Sequence, residues 1–216
     1  MVTNSVWGEF QNMFFSVLLD DPVLFLRVVI IVILSVTLHE LAHGFVAVTQ
    51  GDDTPEKSGH LTLNPVVHMG WESIIFLCVA GIAWGQMPVN PSNFRIPKLS
   101  NILVSAAGPF LNLSLGLLFI GLMRIMADSS QELFSLEFFY LAARINLILF
   151  LFNLLPIPPL DGFHVLSEII PGLKPLQNSP FGFFAMMVLF LLPGFGAGLA
   201  MIADVAIARL SGLPLM

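Results

Sequence analysis

From Val23 to Thr49 the sequence is apolar almost throughout, and its only ionisable residues are Arg27, His39, Glu40 and His43. About 20 apolar residues suffice to cross roughly 30 Å of hydrocarbon as a helix, so this stretch reads as a transmembrane segment. Pro22 opens it at a first-turn position after Asp20 and Asp21, and Gly51 closes it. Four more segments follow. Residues 72–86 form a short one that carries Gly81 and Gly85 at its end, a short or re-entrant helix. Residues 100–127 are long and clean, with Arg124 at the foot. Residues 138–155 contain Arg144 and Asn146 as unexpected polar insertions. Residues 181–205 are broken at Pro193 among neighbouring glycines, where a kink is expected. In residues 1–20, Trp7, Phe10, Phe14 and Phe15 alternate with Glu9, Gln11 and Asn12, the pattern of a helix lying in the interface. No positive residue precedes Arg27, which argues against a cleavable signal peptide. The expectation is an all-α membrane protein. It is a polytopic bundle of about five to six transmembrane segments, formed as a single intramembrane domain over residues 1–216.

Composition closes off the other classes. Charged residues make up 10% of the chain against about 25% in soluble domains, while 56% is hydrophobic and 20 positions are Phe. A water-exposed surface built from that inventory would carry large apolar patches. The net charge of −6 argues against a nucleic-acid partner, because phosphate binding needs a basic face. One cysteine, Cys78, rules out both a disulfide framework and a cysteine-rich zinc module. The acidic trio Asp52, Asp53 and Glu56 reads as a solvated turn. Among the loops, 87–99 holds Arg95 and Lys98 whereas 128–137 holds neither Lys nor Arg. The positive-inside rule puts the first in the cytoplasm and the second outside, and it returns 155–180, with Lys174, to the cytoplasm.

An ionisable residue within a span is a functional-site hypothesis by default. His39-Glu40-Leu41-Ala42-His43 puts three in five positions. Residues four apart on a helix differ by about 40° in direction, so His39 and His43 present their imidazoles on one face. Glu40 is offset from His43 by about 60°, near enough to reach a metal-activated water without ligating the metal. Two His ligands with a Glu as general base is the zinc-peptidase arrangement. A catalytic zinc takes three protein ligands and keeps one position open. The third ligand must come from His60, His68, Asp161, His164, Glu168 or Asp204. Pro156, Pro158 and Pro159 deny continuous helix to the stretch before Asp161-Gly162, and unwound backbone at membrane depth is tolerated only where protein or water satisfies it. Asp161 is therefore the first choice and His164 the second.

The segments TLHELAHGFVA, GHLTLNPVVH, MPVNPSNFR, SAAGPFLNL and NLLPIPPLDG, in this order between Ser35 and Gly162, resemble the site-2 proteases. These are intramembrane zinc metalloproteases, and the resemblance is to the short bacterial and archaeal branch without PDZ or CBS domains. It implies one Zn2+ per chain held by His39, His43 and Asp161, with Glu40 as the base. It also implies that Asn153 steadies the substrate carbonyl, and that Gly108, Pro109 and Asn112 form a small-residue motif where helices pack closely. His68 matches a family position too, and His164 has no role by resemblance. The family often carries a Lys before Pro-Val-Asn-Pro, where Met87 stands here.

The implied activity is hydrolysis of peptide bonds within or near the transmembrane segments of membrane-protein substrates in a lipid bilayer. The implied place is a bacterial or archaeal cell membrane. Since Asp161 lies on the side that the loop charges assign to the cytoplasm, the active site is expected to open there. Loops 64–69 and 88–93 are expected to line an aqueous inlet, and the Gly- and Pro-rich last span is either a moving gate or an ordinary kinked helix. Two other classes compete. A metal transporter using His39, His43 and Asp161 needs polar residues leading on to the opposite face, and a non-catalytic scaffold needs a damaged site.

Overall fold

The computed structural model describes residues 14–126, 135–177 and 179–213, and every regular element among them is helical. In chain order these are α1 (Phe14–Asp20), α2 (Pro22–Thr49), α3 (Thr54–Lys57), α4 (Pro65–Ala80), α5 (Pro97–Met126), α6 (Leu136–Asn153), α7 (Asp161–Ile169), α8 (Pro180–Leu191) and α9 (Phe195–Ser211). Two 3-10 turns, Pro91–Asn93 and Pro171–Leu176, complete the set. The polytopic helical membrane architecture is as expected. Among the described residues α2, α5 and α6 are long and apolar enough to cross, and a bent pair makes a fourth if it counts as one span. α4 is not among them: it is kinked at Gly70 (φ 69°, ψ 162°), and even straight its 16 residues would reach only about 24 Å at 1.5 Å per residue, less than the hydrocarbon thickness.

Local sequence sets the boundaries. Asp21 caps α2 through a 2.9 Å bond from the Leu24 N–H. The second segment begins earlier than its apolar run, because Asn64 caps it by accepting from the Val66 N–H and Pro65 occupies the first turn. It ends at Gly81 (φ 73°), and residues beyond it run extended alongside the site. The last segment breaks at Pro193 and Gly194 into α8 and α9, whose axes differ by 74°. Of the N-terminal stretch, Trp7 and Phe10 lie outside the described residues. Phe14 stacks on Phe25 of α2 with ring centroids 5.1 Å apart, so α1 is packed against the bundle.

The core lies between α5, α6 and α9, where Ile120, Met123, Phe139, Ala143, Leu147, Ala203 and Ile207 are buried together. Gly116 lets α5 approach Leu147 of α6 closely. The polar insertions of α6 have partners. Arg144 donates twice to Asp204 of α9, at 2.7 and 3.1 Å, and Tyr140 donates to the same carboxylate at 2.7 Å. Arg27 pairs with Glu137 at 3.5 Å. The reading of Asp52 as part of a solvated turn is overturned. Its carboxylate is fully buried and accepts from the Thr54 N–H and hydroxyl, the Asn90 N–H and the Asn93 side-chain amide. Burial pushes this carboxyl up, but those hydrogen bonds outweigh it and hold it below the usual range. Asp53 pairs with Lys57, as a solvated turn would.

Candidate active site

α2 delivers His39, Glu40 and His43 to the middle of the bundle, with His43 only about 9 Å in axial rise from Thr49 at the end of the helix. All three are buried. The imidazoles are oriented from behind. His39 donates through Nδ1 to Asn112 Oδ1 at 2.6 Å, and the Asn112 amide donates on to Asn146 Oδ1 at 3.1 Å. Asn146 in turn donates to the Ala142 carbonyl, so the chain of bonds is anchored in α6. His43 donates through Nδ1 to the Val104 carbonyl of α5 at 2.6 Å. With both Nδ1 atoms protonated, both Nε2 lone pairs are free to face forward.

They face one another and Asp161. The two Nε2 atoms are 3.0 Å apart, and Asp161 Oδ2 lies 3.1 Å from His39 Nε2 and 3.4 Å from His43 Nε2. Three acceptor atoms meeting without a hydrogen between them repel unless a cation is shared. A tetrahedral ion with bonds of about 2.0–2.1 Å separates its ligand atoms by roughly 3.3 Å, which is the spacing found. These three residues form a group that could hold a metal ion. A second observation supports the fit. A Cβ built on Gly108 of α5 would collide with Nε2 of both histidines, so this glycine leaves open the space that the three side chains surround. Gly108 serves the site as well as helix packing.

Asp161 arrives from the other direction. The loop after α6 turns back through Pro156, a cis Pro158–Pro159 bond and Leu160 to start α7 at Asp161. Gly162 makes the turn feasible, because any Cβ there would strike the Leu154 backbone. Glu40 faces the extended segment 82–90, and a Cβ on Gly85 would lie 2.6 Å from its Oε1. That segment is fixed by the Ser73 hydroxyl to Trp84, by the Gln86 N–H to the His68 carbonyl, and by Asn90 to Asp52.

The remaining candidates go elsewhere. Asp204 is held by Arg144 and Tyr140. His60 bonds to Ser58. His68 is buried and donates through Nε2 to the Thr62 carbonyl, with no partner at Nδ1 among the described residues. His164 meets the Gln177 amide at 3.2 Å, and Glu168 pairs with Lys174. Asn153 lines the same cavity as the site but donates to the Leu149 carbonyl of its own helix at 3.0 Å. The cavity has a volume of about 1200 Å³. Val89 and Pro91 of the 88–93 loop line it, together with Met186 and Phe190 of α8.

The chain is 42% identical over 175 residues to "Putative zinc metalloprotease YwhC" of Bacillus subtilis, an alignment covering 76% of this chain and 80% of that protein. The model of peptidase family M50 matches residues 120–193, which include Asp161. The chain belongs to peptidase family M50. "Putative zinc metalloprotease Rip2" of Mycolicibacterium smegmatis is 31% identical over 187 residues, 80% of this chain and 71% of the relative. "Zinc metalloprotease MJ0392" of Methanocaldococcus jannaschii is 24% identical over 153 residues, 71% of this chain and 37% of that protein. No solved structure gives a significant match. As an M50 peptidase with apolar spans the chain is an integral membrane protein. For this M50 chain, sequence reading missed three parts of the site: the Asn112–Asn146 relay, the Val104 carbonyl and the closure of Gly85 over Glu40. Asn112 and Asn146 carried the available signal, as amides within apolar helices.

Proposed function

We propose that the chain is an intramembrane zinc metalloprotease in which His39, His43 and Asp161 hold the metal, Glu40 is the general base and acid, and Asn153 supports the oxyanion. The whole chain acts as one peptidase domain on a transmembrane protein substrate. The observation that carries this reading is the meeting of three acceptor atoms at ligand spacing, with Glu40 beside them at the wall of a cavity.

A zinc ion supplies Lewis-acid polarisation of a water molecule and of the scissile carbonyl. The chain supplies the rest. Asn112 and Val104 lock the tautomers of His39 and His43 and so keep both Nε2 atoms available as ligands. Glu40 takes a proton from the attacking water and delivers it to the leaving amine. Asn153 lines the same cavity and exchanges its bond to Leu149 for one to the developing oxyanion. The apolar wall around Val36, Leu149, Phe152 and Met187 receives an unwound apolar segment of substrate.

The chain resides in a prokaryotic cell membrane with the cavity open to the cytoplasm. Support comes from Lys174, which lies at the cavity wall, and from Arg95 and Lys98 in the 87–99 loop. Transport has no comparable support, and a damaged scaffold would not keep Glu40 and three ligand groups together.

Zinc per chain in detergent-purified protein tests the assignment. About one zinc is expected in wild type and in Glu40→Gln, and far less in His43→Ala and Asp161→Ala. Full metal in Asp161→Ala would remove Asp161 from the ligand set, and no metal in wild type would defeat the reading.

A further inference from the structure

Beyond Asp161, the same cavity has a polar wall that the proposed chemistry does not use. Asp161, His164 and Glu168 all line the cavity. On a helix these positions fall within an arc of about 60°, so α7 presents one polar stripe to the cavity, with Asp161 at one end and Glu168 at the other. Glu168 is 6% exposed. One carboxylate oxygen accepts from Asn101 of α5 at 3.1 Å, and the other meets Lys174 Nζ at 2.8 Å.

The two partners of this ion pair are unlike in a way that matters. The Glu168 side chain is buried, while that of Lys174 is 47% exposed and stands on the 3-10 turn Pro171–Leu176. A carboxylate that stays ionised when buried needs a partner for its charge. An exposed lysine on a flexible stem gains little from any one partner and can leave at low cost. Such an anion facing a substrate cavity can trade its lysine for a cation brought by the substrate. Membrane proteins carry their Lys and Arg just outside the cytoplasmic ends of their spans, so a substrate entering from that side brings one.

We propose that Glu168, supported by Asn101, is a substrate subsite for a lysine or arginine side chain, with Lys174 as the resident cation that the substrate displaces. The proposal rests on the peptidase reading above. It also fixes a register. Seven residues of helix separate Asp161 from Glu168 by about 10.5 Å, and an extended peptide covers that distance in about three residues at 3.3 Å each. The preferred basic residue therefore lies about three residues from the scissile bond.

Binding tests this separately from hydrolysis. The Glu40→Gln protein in phosphatidylcholine nanodiscs is titrated with fluorescent synthetic single-span peptides. Each carries Lys, Gln or Glu at successive positions beyond a central Asn-Gly break. With Glu168 intact, Lys at one position is expected to bind about tenfold tighter than Gln, and Glu weaker than either. The double exchange Glu168→Lys with Lys174→Glu keeps an ion pair for folding and is expected to reverse the order, while Glu168→Gln is expected to flatten it. A preference for Lys that survives the exchange, or no preference at any position before it, overturns the subsite. Failure of the wild type to cleave any of these peptides, with the binding order intact, counts instead against the peptidase reading.

Discussion

Gly108 and Gly85 each face a reactive group at a distance that admits no side chain, and their substitution separates metal binding from base catalysis. Gly108→Ala adds a methyl against two imidazoles whose Nδ1 atoms are already fixed by Asn112 and Val104, so neither ring has room to retreat. The α5 helix itself tolerates alanine, which is about 1 kcal/mol better than glycine within a helix. The expected outcome is a folded protein whose zinc affinity falls by at least the 10–100-fold typical when a supporting group is lost. Differential scanning fluorimetry with added zinc checks this, since a ligand that binds only the native state raises Tm in wild type and would not do so in the variant. Gly85→Ala acts on the Glu40 side chain instead, since the atoms it meets are the Cγ, Cδ and Oε1 of that residue. Glu40 moves and the ligands do not. Zinc content is expected to stay near wild type while kcat falls by about 10²-fold, the cost of misplacing a catalytic group by roughly 1 Å.

At the scale of elements, the Asp52 cluster joins the end of α2 to the 82–93 segment that covers Glu40. Its four donors come from Thr54, Asn90 and Asn93, so removing the carboxylate strands all of them. Asp52→Ala is expected to lose at least about 2 kcal/mol in reversible denaturation of the detergent-solubilised protein. The pH dependence follows from the lowered folded-state value. The group contributes its stability above its unfolded value near 4, and that stability is lost as pH falls through the lower folded value. Wild-type Tm should therefore drop more steeply than that of Asp52→Asn as pH falls from about 5 to 3. This cluster also marks the limit of what is legible in the chain. Apolar runs announce α2, α5 and α6, since in lipid a spanning helix must be apolar along its length. Ligand spacing announces His39 and His43, and the proline break announces Asp161. Asp52 sits in an acidic run that looks solvated, because two of its four donors are 38 and 41 residues away and leave no periodic trace. α7 was hidden for a related reason: its nine residues are too short for periodicity to stand out, and its stripe makes sense only against a cavity built by other helices.

Across the whole molecule, α9 is tied to α6 by the Arg144, Tyr140 and Asp204 cluster, while α8, beyond the break at Pro193, borders the substrate cavity. The tie fixes one arm of the bent pair to the core and leaves the arm beside the cavity held mainly by apolar contacts. A bidentate pair within the bundle is costly to break by halves, because the remaining charge loses its counter-charge while staying largely out of water. Either Arg144→Leu or Asp204→Leu is expected to cost roughly 3 kcal/mol, at the low end for buried pairs because both side chains keep some exposure. The double variant is expected to recover most of that loss, since two leucines pack between α6 and α9 without stranding a charge. Thermal unfolding of the four proteins in one detergent closes the cycle. Additive losses in the double variant would show that each residue acts through separate contacts. If the pair is the tie, the double variant also keeps zinc and keeps cleaving, because neither residue reaches the site. A double variant that is stable but inactive would mean instead that the charges of α9 control how α8 opens the cavity.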